Sequence, residues 1–100
     1  MTIRYTPKSL EDLKEIQGYI EEVLYNQIAA KKIIGKIIKT CTFLKQQPYM
    51  GQLLEEKIGC PSEMRYVISD RYIIIYKIEK EYISIIRILD TRTNYMNILF

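Results

Sequence analysis

Arginine and tyrosine are the side chains in this sequence best suited to chemistry. Arg65, Arg71, Arg87 and Arg92 fall on, or just after, segments that read as strands. Each offers a planar fork that holds a carboxylate or phosphate through two parallel hydrogen bonds. Arg87 interrupts the apolar run Ile85-Ile86-Arg87-Ile88-Leu89. A charge there is either paired, for example with Asp90 or Glu63, or it serves binding. Arg92 stands with Asp90, Asn94 and Tyr95 in a cluster more polar than a tail requires. Tyr49, Tyr66 and Tyr95 are the tyrosines freest of the core pattern, and a tyrosine flanked by arginines can move a proton in phosphodiester cleavage. Histidine is absent from the 100 residues. The usual general base, the usual zinc ligand and every imidazole triad are therefore missing. Cys41 and Cys60 lack metal or redox spacing, and no phosphate loop or nucleophile elbow occurs. Neither metal nor cofactor is expected.

The elements that must position these groups follow from periodicity. Thr2–Thr6 alternates as a short strand that Pro7 ends. Ser9 then reads as the cap of a first helix, with Leu10, Leu13, Ile16, Ile20, Val23 and Leu24 as its apolar stripe. Asn26 reads as the cap of a second helix, whose stripe is Ala30, Ile33, Ile34, Ile37, Ile38, Cys41 and Leu44. Gly35 is a flaw in it, costing about 1 kcal/mol relative to alanine. Gln47-Pro48 closes it. The short link predicts an antiparallel helical hairpin. Tyr49–Glu63 reads as a loop of about 15 residues with a partial strand at Gln52–Leu54. Arg65–Ser69, Arg71–Ile78 and Tyr82–Leu89 read as three strands of an antiparallel meander, and 90–100 as an irregular or briefly helical tail. The expectation is a single α+β domain over 1–100, with an N-terminal strand and a helical hairpin on a mainly antiparallel sheet of about four strands. Tyr72, Ile74, Tyr76 and Ile78 face one way and Ile73 and Ile75 the other, so both faces of the middle strand are apolar. The second is either covered by the tail or left for a partner.

Composition sets the outer bounds. With 48% hydrophobic and 27% charged residues the chain is globular. No apolar run approaches the roughly 20 residues of a membrane span, and the first ten residues do not form a signal sequence. Two scattered thiols without an export signal predict a cytoplasmic protein. The net charge is +3, too mild to mark a nucleic-acid binder alone. It is unevenly spread: the first helix has two lysines against five acids, whereas the second has Lys31, Lys32, Lys36, Lys39 and Lys45 and no acid. That second face suits an acidic target, or is simply a solvated surface answering its neighbour.

The order of motifs resembles a known family. Tyr-Thr-Pro at 5–7 leads into Ser9-Leu10-Glu11-Asp12-Leu13-Lys14-Glu15-Ile16 and a basic second helix. Pro48-Tyr49-Met50-Gly51, Met64-Arg65-Tyr66-Val67-Ile68, Tyr72-Ile73-Ile74-Ile75-Tyr76, Ile88-Leu89-Asp90-Thr91-Arg92 and Tyr95-Met96-Asn97-Ile98-Leu99 follow. This resembles the RelE/ParE superfamily of toxins from bacterial type II toxin–antitoxin systems, across the whole chain. The resemblance implies a growth-arresting toxin, silenced by an antitoxin whose acidic amphipathic tail wraps over it. Within the superfamily, RelE-like members cut messenger RNA on the ribosome and ParE-like members poison DNA gyrase. The nuclease set is incomplete here: Ile73 replaces an arginine, and the expected lysines fall on Tyr66 and Ile68. Arg92 matches a C-terminal arginine, Tyr95 lies near the terminal tyrosine, and Asp90 stands where relatives carry His or Tyr. The expectation is a ParE-like, plasmid-stabilising toxin that binds gyrase without catalysis, presenting Arg65, Arg87, Arg92 and Tyr95. The alternatives are a metal-independent ribosome-dependent endoribonuclease, in which Arg65 and Arg92 hold phosphate and Tyr95 moves the proton, and an inactive toxin-fold binding module.

Overall fold

The structure, a computed structural model, describes residues 1–92 and 97. Tyr95 and most of the tail lie outside the described residues. The chain opens with β1 (Thr2–Tyr5) and α1 (Pro7–Gly18). Pro7 both stops the strand and starts the helix, because a first helical position needs no N–H and favours its fixed φ. The cap is therefore Thr6, not Ser9. Thr6 Oγ1 accepts from Ser9 N at 3.1 Å, and Ser9 Oγ donates back to Thr6 O at 2.8 Å. α1 runs into a π-helical turn at Tyr19–Val23, and Asn26 caps α2 (Gln27–Phe43) by accepting from Ala29 N at 3.0 Å, as the sequence predicts.

Five strands form one sheet in the order β1-β5-β4-β3-β2. β3 (Arg65–Ser69), β4 (Tyr72–Ile78) and β5 (Tyr82–Asp90) make the expected antiparallel meander. β1 joins β5 in parallel, from Thr2↔Tyr82 to Tyr5↔Ile85. Parallel neighbours need a long connection, and here two long helices and three further strands lie between β1 and β5. The fifth strand is β2 (Gln52–Leu53), antiparallel to β3. It continues into α3 (Leu54–Ile58), a short helix inside the segment expected to be a loop. Gly59, at φ 74°, ends it in the left-handed conformation that glycine adopts without strain.

The core is two-sided. Tyr72, Ile74 and Tyr76 pack with Ile37 and Cys41 of α2, with Leu44 just past its end, and with Ile83, Ile85 and Ile88 of β5. On the other face Ile73, Ile75 and Leu89 pack with Leu54, with Ile58 against them. The second face of β4 thus carries α3. A β-bulge reverses the alternation along β5. Ile75 pairs with Arg87 and Tyr76 with Ile85, leaving Ile86 as the extra residue. Ile83, Ile85 and Ile88 can then share one core despite their odd spacing. Among the described residues no helix is long and apolar enough to cross a membrane.

Candidate functional site

β1 ends at Tyr5 while β5 continues to Asp90, so among the described residues the outer part of β5 has a strand, β4, on one side only. Its edge is closed by side chains and loop backbone. Thr6 N donates to Ile85 O at 3.1 Å, and Thr6 Oγ1 to Ile86 O at 3.0 Å. Asp12 of α1 then accepts from Ile88 N at 2.9 Å through Oδ2. The same carboxylate takes the Arg87 fork, Nε at 2.8 Å to Oδ2 and Nη2 at 2.9 Å to Oδ1. Asp12 is only 5% exposed. Its hydrogen bonds push the Arg87 guanidinium further above its usual range. The ion-pair partner of Arg87 is therefore Asp12, not Asp90 or Glu63.

Asp90 serves two other arginines. Arg92 grips it in a fork, both contacts at 3.0 Å, and also donates its backbone N–H at 2.9 Å. Arg71 Nη2 reaches Asp90 Oδ2 at 3.0 Å. These two clamps flank a cavity of about 480 Å³ lined by Asp12, Glu15, Tyr19, Arg71, Tyr72, Arg87, Asp90 and Arg92, with Ile16, Ile88 and Leu89 as its apolar part. Burial raises the Tyr72 phenol above its usual range; Arg71 pulls it partly back, and Asp90 and Tyr19 add to the rise. At neutral pH this hydroxyl is protonated. Arg92 is the outermost cation, its side chain 76% exposed.

Of the residues singled out by sequence, Arg87 and Arg92 come together here. Arg65 does not line the cavity. It donates to Gly51 O at 2.8 Å, and its guanidinium lies over the Tyr49 ring at 5.0 Å. Beside it, Tyr76 donates to Pro48 O at 2.7 Å and accepts from Gly51 N at 3.0 Å. Burial raises this phenol too, against the pull of the Gly51 bond and Arg65. Arg65 thus fastens the 48–51 turn to the sheet. Tyr95 lies outside the described residues.

Sequence reasoning missed Asp12, Glu15, Tyr19 and Tyr72 as lining residues. The signal was the phase of α1. Its buried residues are Ser9 and Asp12, while Leu10 is 48% exposed. The π-helical turn then rotates Val23 and Leu24 outward, at 55% and 54%. Read in that phase, Asp12 is an acid on the core side of an amphipathic helix, which demands a buried partner. Among the described residues no group of three or more Cys, Asp or Glu is placed to hold a metal.

The chain thus sets a helical hairpin on a mixed sheet, with an arginine- and carboxylate-lined cavity at the far end of β5. The family described as "ParE toxin of type II toxin-antitoxin system, parDE" matches residues 3–95, and the chain belongs to that family. A solved structure titled "Chromosomal ParDE TA system from P. aeruginosa" is similar to it in fold, with a TM-score of 0.76 and 21% identity. The match covers 90% of this chain and 95% of that one. No curated protein matches the sequence.

Proposed function

We propose that this toxin acts in the cytoplasm and arrests growth by binding DNA gyrase, without cutting RNA, until an antitoxin with an acidic amphipathic tail silences it. One observation carries the reading: the cavity arginines are already paired. Arg87 is held by Asp12, and Arg71 and Arg92 by Asp90. A phosphate cradle needs cations free to meet the developing negative charge. A rigid, charge-balanced rim suits recognition of a protein surface instead. In this reading Arg92 and Tyr95 face the target. Arg87 and Arg65 are positioning residues, the first fixing α1 to β5 and the second fixing the turn that carries Tyr49.

The test is pulse-labelling of DNA and protein synthesis in the first minutes after induction, beside a supercoiling assay with purified gyrase. DNA synthesis falling first, with loss of supercoiling, is the expected result. Protein synthesis falling first would assign the chain to the ribosome-dependent nucleases. Harmless expression of the folded chain would make it an inactive binding module.

A further inference from the structure

α2 contains a glycine that its own fold does not use. Gly35 lies in the middle of Gln27–Phe43, on the exposed side, and its φ is not positive. A Cβ added there would meet nothing within 4 Å. Neither a turn nor a close neighbour explains a residue that ranks just above proline as a helix former. Its neighbours one turn away, on either side, are Lys31, Lys32, Ile38 and Lys39. The three lysines are exposed and make no ion pair among the described residues, whereas Lys36 meets Asp70 at 3.0 Å. Ile38 is 42% exposed. The opposite side of the helix, with Ala30, Ile37 and Cys41, is wholly buried. The outer face is thus a notch in the side-chain layer, ringed by three uncompensated cations and one apolar side chain.

We propose that the Gly35 notch is the docking site for an acidic amphipathic segment of the antitoxin, whose main chain crosses α2 at Gly35. The inference rests on the reading above that an antitoxin silences this chain. Each part of the notch matches one feature of such a segment. The missing side chain admits a close backbone approach. Ile38 takes an apolar residue, and Lys31, Lys32 and Lys39 take carboxylates. A nucleic-acid backbone would use the lysines but would gain nothing from the glycine, so the combination favours a peptide.

The test is titration calorimetry of the full chain against the purified product of the gene adjoining it, run with the wild type, Gly35→Leu, Gly35→Ala and the pair Lys32→Glu/Lys39→Glu. Gly35→Leu and the lysine pair are expected to weaken binding about tenfold or more while growth arrest without antitoxin persists. Gly35→Ala is the folding control, expected to melt above wild type by up to about 4–8 °C and still bind less tightly. A wild-type complex that Gly35→Leu leaves unchanged overturns this inference alone. A wild-type toxin that the adjoining gene product does not bind overturns the antitoxin reading along with it. Short duplex DNA that binds through the lysines, with indifference to Gly35→Leu, reassigns the face to nucleic acid and overturns the inference.

Discussion

Asp12 shows how much one buried carboxylate can carry. It accepts from the Arg87 fork and from the Ile88 amide, and so ties α1 to a strand edge that, among the described residues, lacks a strand partner. Deleting one member of a buried pair strands the other charge, at a cost of about 3–5 kcal/mol. We expect Asp12→Ala to lose stability on that scale in urea unfolding. The double variant Asp12→Leu/Arg87→Met should recover part of the loss, since no charge is left buried, though the Ile88 amide stays unpaired. A second residue-scale prediction concerns pH. Cys41 is fully buried, and burial pushes its thiol up to about 11 from an ordinary 9.0, despite the Tyr5 hydrogen bond that pulls it down. Tyr5 is raised as well, by the same burial. A raised acid binds its proton more tightly in the fold than in the unfolded chain. Its contribution is therefore complete below pH 9.0 and lost as pH climbs through about 11. The urea midpoint should fall across that window, and less steeply in Cys41→Ala. At this scale the sequence was only partly legible. The four arginines and the polarity around Asp90 announced themselves, but the partner of Arg87 lies 75 residues away, and no local pattern connects the two.

Elements were legible where their cause is local. The run Tyr72–Ile78 is dense in β-branched and aromatic residues, and its links to β3 and β5 are short, so the meander follows from sequence alone. The parallel pairing of β1 was not visible, because its partner β5 is the last strand in the chain and no local pattern links the two. α3 spans five residues, too few to show a period. The bulge at Ile86 shows only as an odd interval between buried isoleucines, and a buried run on both sheet faces hides it. Two glycines make opposite predictions at this scale. Gly35 has open space around it, so alanine there should raise stability by up to about 1 kcal/mol, or about 4–8 °C in melting temperature. Gly51 is buried beneath Tyr76, and an added Cβ would collide with the Tyr76 hydroxyl and stand 2.7 Å from the Tyr66 carbonyl. Gly51→Ala should therefore cost about 1–3 kcal/mol through the forced shift of packed atoms. Thermal unfolding of the two variants side by side checks both signs.

For the molecule as a whole, charge and shape divide the surface in two. α1, with its excess of acid, contributes Asp12 and Glu15 to the cavity beside β5. α2 has only basic charges and turns its lysines and Gly35 outward. None of the residues forming the notch lines the cavity. If the cavity rim meets the target and the notch meets the antitoxin, the two activities must separate by mutation. Arg92 is the residue to reverse on the cavity side, because its side chain is exposed and its one ion-pair partner among the described residues is Asp90. An exposed ion pair contributes only about 0–1 kcal/mol, so the fold should survive the loss of the Arg92–Asp90 contact. We expect Arg92→Glu to abolish growth arrest on plates while binding the antitoxin as tightly as wild type. Gly35→Leu should do the reverse, remaining toxic and escaping neutralisation. A chain in which Arg92→Glu loses both properties together would show that target and antitoxin compete for a single surface. The antitoxin would then silence the toxin by covering that surface.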